Sequence, residues 1–106
     1  MDSKAKNILQ ELRKSFESIY GPRLVEMMLY GSYARGDAEP GSDIDVLIVL
    51  QGPVSASLEI TRTIEYVADI SLDYNEVIAC YFISATEYEH ENSPLLLNVR
   101  REGVPV

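Results

Sequence analysis

Apolar residues recur at spacings of three or four along residues 3–20, where Ile8, Leu12, Phe16 and Ile19 are separated by Lys, Glu and Arg. That period predicts an amphipathic helix with one buried stripe. Asp2 or Ser3 can cap its start, and Gly21-Pro22 stops it. The run Leu24–Tyr30 is mostly apolar and short, as expected of a strand buried on both faces. From Gly31 to Ser42 the pattern breaks at three glycines and one proline, which predicts a loop with at most a short helix. Asp43–Leu50 is the clearest strand, since Ile44, Val46, Leu47, Ile48, Val49 and Leu50 are nearly all strand formers.

Residues 55–72 predict a second helix with Ile60, Ile64, Val67 and Ala68 inward, closed by a turn at Asp73-Tyr74-Asn75. Val77–Ile83 makes a third strand. Ser84-Ala85-Thr86-Glu87 has the form of a capping box and predicts a short helix after it. Ser93-Pro94 starts a further helix through Arg101, with Gly103 as its stop. The order helix, strand, strand, helix, strand, helix is an α+β layout with helices on a small sheet.

At 106 residues the chain has room for one domain, residues 1–106, and one core. No stretch approaches the roughly 18 apolar residues of a membrane span. The start, Met1-Asp2-Ser3-Lys4, lacks the apolar core of a signal peptide, so a cytoplasmic location is expected. A lone cysteine, Cys80, excludes an intrachain disulfide and a multi-cysteine zinc site. Cys80 reads as a small buried hydrophobe, and the single histidine, His90, as part of a solvated helix face. Seventeen acidic against nine basic side chains leave a net charge of −8, which disfavours direct binding to a nucleic-acid backbone. An acidic protein can still meet a polyanion when a divalent cation stands between them.

Two neighbouring features carry chemistry. The first is Gly31-Ser32-Tyr33-Ala34-Arg35-Gly36-Asp37, directly after a strand. Glycine lets backbone approach a ligand closely, and the Ser32 hydroxyl and free backbone N–H groups can meet phosphate oxygens. Arg35 could bond a phosphate or pair with an acidic neighbour. Tyr33 could stack on a base, act as a lid, or simply pack. Alone, a Gly-Ser turn is usually only a connection.

The second feature is Ser42-Asp43-Ile44-Asp45, where strand alternation puts Asp43 and Asp45 on one face, roughly 7 Å apart at Cα. Such a pair can be a solvated strand end. It can also hold Mg²⁺, which prefers carboxylate and phosphate oxygens and keeps several waters. A phosphate-friendly turn beside a metal-binding acid pair describes phosphoryl or nucleotidyl transfer.

Residues 31–46 closely resemble the signature of the DNA-polymerase-β-like nucleotidyltransferase superfamily, a Gly-Ser pair followed after about ten residues by Asp-x-Asp. The Ala-Arg-Gly and Ser-Asp-Ile-Asp wording is similar to its minimal nucleotidyltransferase (MNT) branch, whose catalytic core is a small mixed sheet flanked by helices. The resemblance implies that Gly31 and Ser32 contact a nucleoside triphosphate such as ATP, with Arg35 a further phosphate contact or a structural partner for an Asp. It implies that Asp43 and Asp45 ligate Mg²⁺. It also implies a HEPN-family protein partner, in a homo- or hetero-oligomer, with AMP moved onto a tyrosine of that toxin. The superfamily usually adds a third carboxylate from a later strand. Here the third strand has no acid within it, so Glu76 at its start is the nearest candidate, and Asp73 the fallback. Without one, a partner residue could complete the site, or the chain could be a non-catalytic antitoxin that neutralises by binding alone. Transfer to a small molecule such as an aminoglycoside is disfavoured, because enzymes of that kind carry an added domain.

Overall fold

The computed structural model describes residues 3–106; the Asp2 cap expected for the first helix lies outside them. Helix α1 (Ser3–Tyr20) leads through a 3₁₀ turn (Gly21–Arg23) into β1 (Leu24–Tyr30). The short α2 (Ser32–Arg35) precedes β2 (Ile44–Leu50), and α3 (Ala56–Tyr74) carries the chain to β3 (Ile78–Ser84). Helices α4 (Ala85–His90) and α5 (Pro94–Glu102) follow, and β4 (Val104–Pro105) completes the described elements.

The four strands form one mixed sheet in the order β3-β2-β1-β4. β1 lies antiparallel to β2, with Tyr30 opposite Asp45, and β2 lies parallel to β3, with Asp45 beside Ala79. α1 and α3 cover one face: Ile8, Leu12, Phe16 and Tyr20 pack with Ile44, Val46, Ile48, Leu50, Ile70 and Phe82. α5 covers part of the other, where Leu96 and Val99 meet Met28, Leu47, Val49 and Ile83. Beyond Asp45, β2 is therefore buried on both faces, which explains its apolar run from Val46 to Leu50.

Four sequence expectations are corrected. β1 is buried only at Met27, Met28 and Leu29; a bulge between Leu24 and Glu26 turns its start outward and leaves Val25 exposed. α3 is rotated from the expected face, with Glu59, Thr63 and Ile70 buried while Ile60, Ile64 and Ala68 are exposed. The reason is Glu59, whose carboxylate accepts from Tyr20 Oη at 2.8 Å and faces Arg23 and Arg62, each at 3.6 Å. A buried acid with such partners is tolerated, so polarity alone misplaced the helix face. α3 also runs through Tyr74, and Asn75 stops it in the left-handed conformation at φ 54°.

The fourth correction is β4, which no periodicity announces because it has two residues. Val104 pairs with Leu29 and Pro105 with Met28, and the Val106 N–H donates to Met27 O at 3.0 Å. Pro105 is at home on this outer edge, where no ladder donor is needed. At α4, the Ser84 side chain accepts from Glu87 N–H as expected, but the Glu87 carboxylate accepts from the Ser84 hydroxyl rather than from its backbone. Ser84 is still the last residue of β3. Ser93 caps α5 by accepting from Leu96 N–H.

Candidate active site

The antiparallel pairing of β1 and β2 brings the end of one strand beside the start of the other, so the glycine turn and the acid pair share one edge of the sheet. Gly31 leaves β1 at φ 77°, ψ −158°, a region that glycine alone occupies comfortably. A Cβ there would collide with Asp45 Oδ2 and stand 3.3 Å from its Cγ. The missing side chain is what lets the backbone lie against the carboxylate.

α2 then folds tightly. Arg35 N–H donates to Gly31 O at 3.1 Å, and Gly36 N–H donates to Ser32 O at 3.0 Å. Gly36, at φ 81°, closes the helix in the left-handed conformation. Ser32 is the half-exposed first residue of α2, and Tyr33 packs against the α1-side core.

Before β2, Glu39 N–H donates to Ser42 Oγ at 3.0 Å and Ser42 N–H to Glu39 O at 2.9 Å. Ile44 N–H then donates to Val77 O at 2.8 Å, which fixes the entry of β2 beside β3. Asp43 is exposed and Asp45 half-exposed. The Asp45 carboxyl is raised above the ordinary aspartate range, first by burial and then by Asp43, with Arg35 acting the other way. The neighbouring Tyr30 phenol is pushed up to about 12 by burial and by Asp45.

Arg35 is engaged by two acids. Its Nε donates to Asp37 at 3.2 Å, and its Nη1 donates to both Glu102 oxygens, at 3.1 and 3.3 Å. The pairing expected as one option for Arg35 is present, with Asp37 and with an acid at the far end of the chain. Glu102 also accepts from Gly31 N–H at 3.3 Å. No short-range sequence signal marks Glu102, which lies 71 residues from Gly31 and returns to it as α5 packs on the sheet and β4 pairs with β1.

Glu76, the candidate third carboxylate, has a partner of its own. Glu76 forms an ion pair with Lys4 at 3.0 Å, and the residue beside Asp45 on β3 is Ala79. Among the described residues no group of three or more His, Cys, Asp or Glu is arranged to hold a metal ion. Asp43 and Asp45 nevertheless suit Mg²⁺ held by one or two carboxylates and completed by substrate phosphates and water. The Gly31 backbone lies against Asp45 with no side chain between them, and the repulsion between Asp43 and Asp45 favours a cation.

Comparison with known proteins decides the family. The nucleotidyltransferase domain family matches residues 9–94 of the chain. The chain belongs to it. A candidate protein adenylyltransferase of Methanocaldococcus jannaschii is 35% identical over 72 residues, which cover 68% of this chain and 72% of the relative. A solved toxin–antitoxin structure with AMP-PNP superimposes with a TM-score of 0.63 at 18% identity, over 95% of this chain and 70% of the other. A Shewanella oneidensis complex of a tri-AMPylated HEPN toxin with its MNT antitoxin gives 0.53 at 16% identity, over 96% and 68%. The nucleotidyltransferase fold accounts for the mixed sheet, and the Gly-Ser turn and Asp-x-Asp pair fall within the matched span. Among the described residues no helix is long and apolar enough to cross a membrane.

Proposed function

We propose that this nucleotidyltransferase moves AMP from ATP, with Mg²⁺, onto a tyrosine hydroxyl of a HEPN-type protein partner and so acts as its antitoxin. The observation that carries the reading is the contact between Gly31 and Asp45, which makes the phosphate turn and the acid pair one site. The adenylyltransferase relative and the AMPylated HEPN complex among the structural neighbours support the donor and the acceptor.

In this reading Gly31 and Ser32 hold the triphosphate, and Asp43 and Asp45 hold the cation. Arg35 stands at the end of the same turn. When bound, Mg²⁺ neutralises the triphosphate charge and lowers the barrier to displacement. The acceptor oxygen attacks the α-phosphorus, the bond to the β-phosphate bridging oxygen breaks, pyrophosphate leaves, and the hydroxyl proton passes to solvent. The chain's own contribution is orientation: the Gly31 backbone and the paired strand ends hold donor and carboxylates in a fixed relation.

Incubation with labelled ATP, Mg²⁺ and a HEPN-family protein from the same source tests this. Wild type should transfer label, and Asp43→Ala/Asp45→Ala should lose at least about 10³-fold, as expected when cation binding is removed. Equal transfer by the double variant, or none by wild type, overturns the reading. A second reading, neutralisation by complex formation alone, is favoured by Ala79 standing beside Asp45 and by Glu76 being held on Lys4. It predicts that the double variant still protects cells from the toxin.

A further inference from the structure

We propose that Glu102 is the positioning residue of the phosphate turn, clamping both of its ends from the C-terminal side of the fold. Odd-numbered residues of β1 face β4: Leu29 pairs with Val104, and Met27 O accepts from Val106 N–H. By strand alternation Gly31 N–H points to the same side, beyond the end of the two-residue β4. The Glu102 carboxylate takes that N–H at 3.3 Å and continues the ladder with a side chain. The same carboxylate grips Arg35, the last residue of α2, through Nη1.

One acid therefore holds the first and last residues of the five-residue turn, and Arg35 N–H to Gly31 O closes the ring. Glu102 keeps its side chain only 15% exposed, so water competes weakly for these bonds. Helix α5 itself is anchored by Leu96 and Val99 in the core, which makes the clamp a connection from core to turn. Glu102 acts through Gly31 and Arg35; it sets the shape in which the turn meets phosphate.

This inference rests on the turn binding a triphosphate, so its test has one arm that does not use nucleotide. Hydrogen exchange at the Gly31 amide should quicken by roughly tenfold or more in Glu102→Ala, while Val46 to Ile48 in the core keep wild-type protection. Glu102→Gln retains an acceptor for that N–H and should stay within about threefold of wild type. In the nucleotide arm, Glu102→Ala should raise the KM for ATP by roughly tenfold with kcat within about twofold, the pattern of lost positioning before chemistry. Wild-type exchange at Gly31 in Glu102→Ala overturns the clamp. So does an unchanged KM for ATP, or a lowered one, which would make Glu102 a competing anion. A fall in kcat alone, with loss of core protection, would mark Glu102 as merely structural and also overturn it. If wild type binds no ATP, the functional reading fails while the exchange arm still decides the clamp. Should Glu102→Ala not fold, Glu102→Asp decides: it keeps the charge but shortens the reach, and wild-type exchange and KM in it overturn the proposal.

Discussion

A side chain at position 31 would meet two obstacles at once, a backbone at φ 77°, ψ −158° and the Asp45 carboxylate lying where the Cβ would go. Gly31→Ala should therefore lose both stability, by about 1–3 kcal/mol, and transfer activity, because relief of the clash must move the turn away from the acid pair. Thermal unfolding beside label transfer checks this, and a variant with wild-type melting and activity would refute it. Asp45 carries the complementary strain. Its folded carboxyl is raised above the unfolded value, so the folded state binds the proton more tightly. That stabilisation is present below the ordinary aspartate range and is lost as pH rises through the raised value. At neutral pH without divalent cations, Asp45→Asn should melt higher than wild type by roughly 2–5 °C. Solvent screening at this half-exposed group keeps the gain to a fraction of 1 kcal/mol. The gap should close as pH falls through the raised value and the ordinary aspartate range, where the wild-type group is protonated too. Melting curves from pH 3 to 8 in EDTA would show it; a variant less stable at pH 7 would contradict the cause given to the shift.

The elements reveal where sequence periodicity is a sufficient guide and where it is not. α1 and β2 were legible because their burial is carried by apolar residues alone: Ile8, Leu12 and Phe16 in one, Ile44 to Leu50 in the other. α3 was legible as a helix but not in its facing, since a buried Glu59 with Tyr20, Arg23 and Arg62 around it looks like surface when read as a letter. β4 was illegible because two residues carry no period, and Glu102 with it, because only long-range packing of α5 and β4 brings that residue to the turn. Gly31, Ser32, Asp43 and Asp45 stood in a short motif whose strand–turn–strand register the sheet preserves. Glu76 lies just before β3, and nothing short-range in the sequence announces its ion pair with Lys4. The α3 reading has its own test. Glu59→Ala leaves the Tyr20 hydroxyl and Arg23 without their shared acceptor and should destabilise by about 2–3 kcal/mol. Glu59→Gln, which keeps an acceptor, should lose about 1 kcal/mol. Urea unfolding measures both, and a change within about 0.5 kcal/mol for the alanine variant would show that the network does not hold α3.

On the scale of the whole molecule, a net charge of −8 on 106 residues stands against the proposal that the site takes a triphosphate. Asp43, Asp45 and Asp37 all lie at or beside the turn, and Arg35, the basic residue that opposes the charge of Asp45, is already paired with Asp37 and Glu102. Free ATP should therefore be repelled, with attraction appearing only when a divalent cation joins the two sets of oxygens. Salt gives the sign of this balance. In metal-free buffer, raising NaCl shortens the Debye length from roughly 30 Å at 0.01 M to about 10 Å at 0.1 M and screens the repulsion. Whatever weak binding of ATP exists in EDTA should then strengthen with salt, the reverse of a site built from Lys and Arg. Asp43→Asn/Asp45→Asn should bind metal-free ATP more tightly than wild type, by roughly threefold to tenfold, and should lose the gain that Mg²⁺ gives wild type. Titration calorimetry across both salt concentrations, with Mg²⁺ and with EDTA, separates the cases. Metal-free binding that weakens with salt, or a double variant that still gains from Mg²⁺ as wild type does, would mean that the nucleotide is held by positive charge elsewhere on the surface.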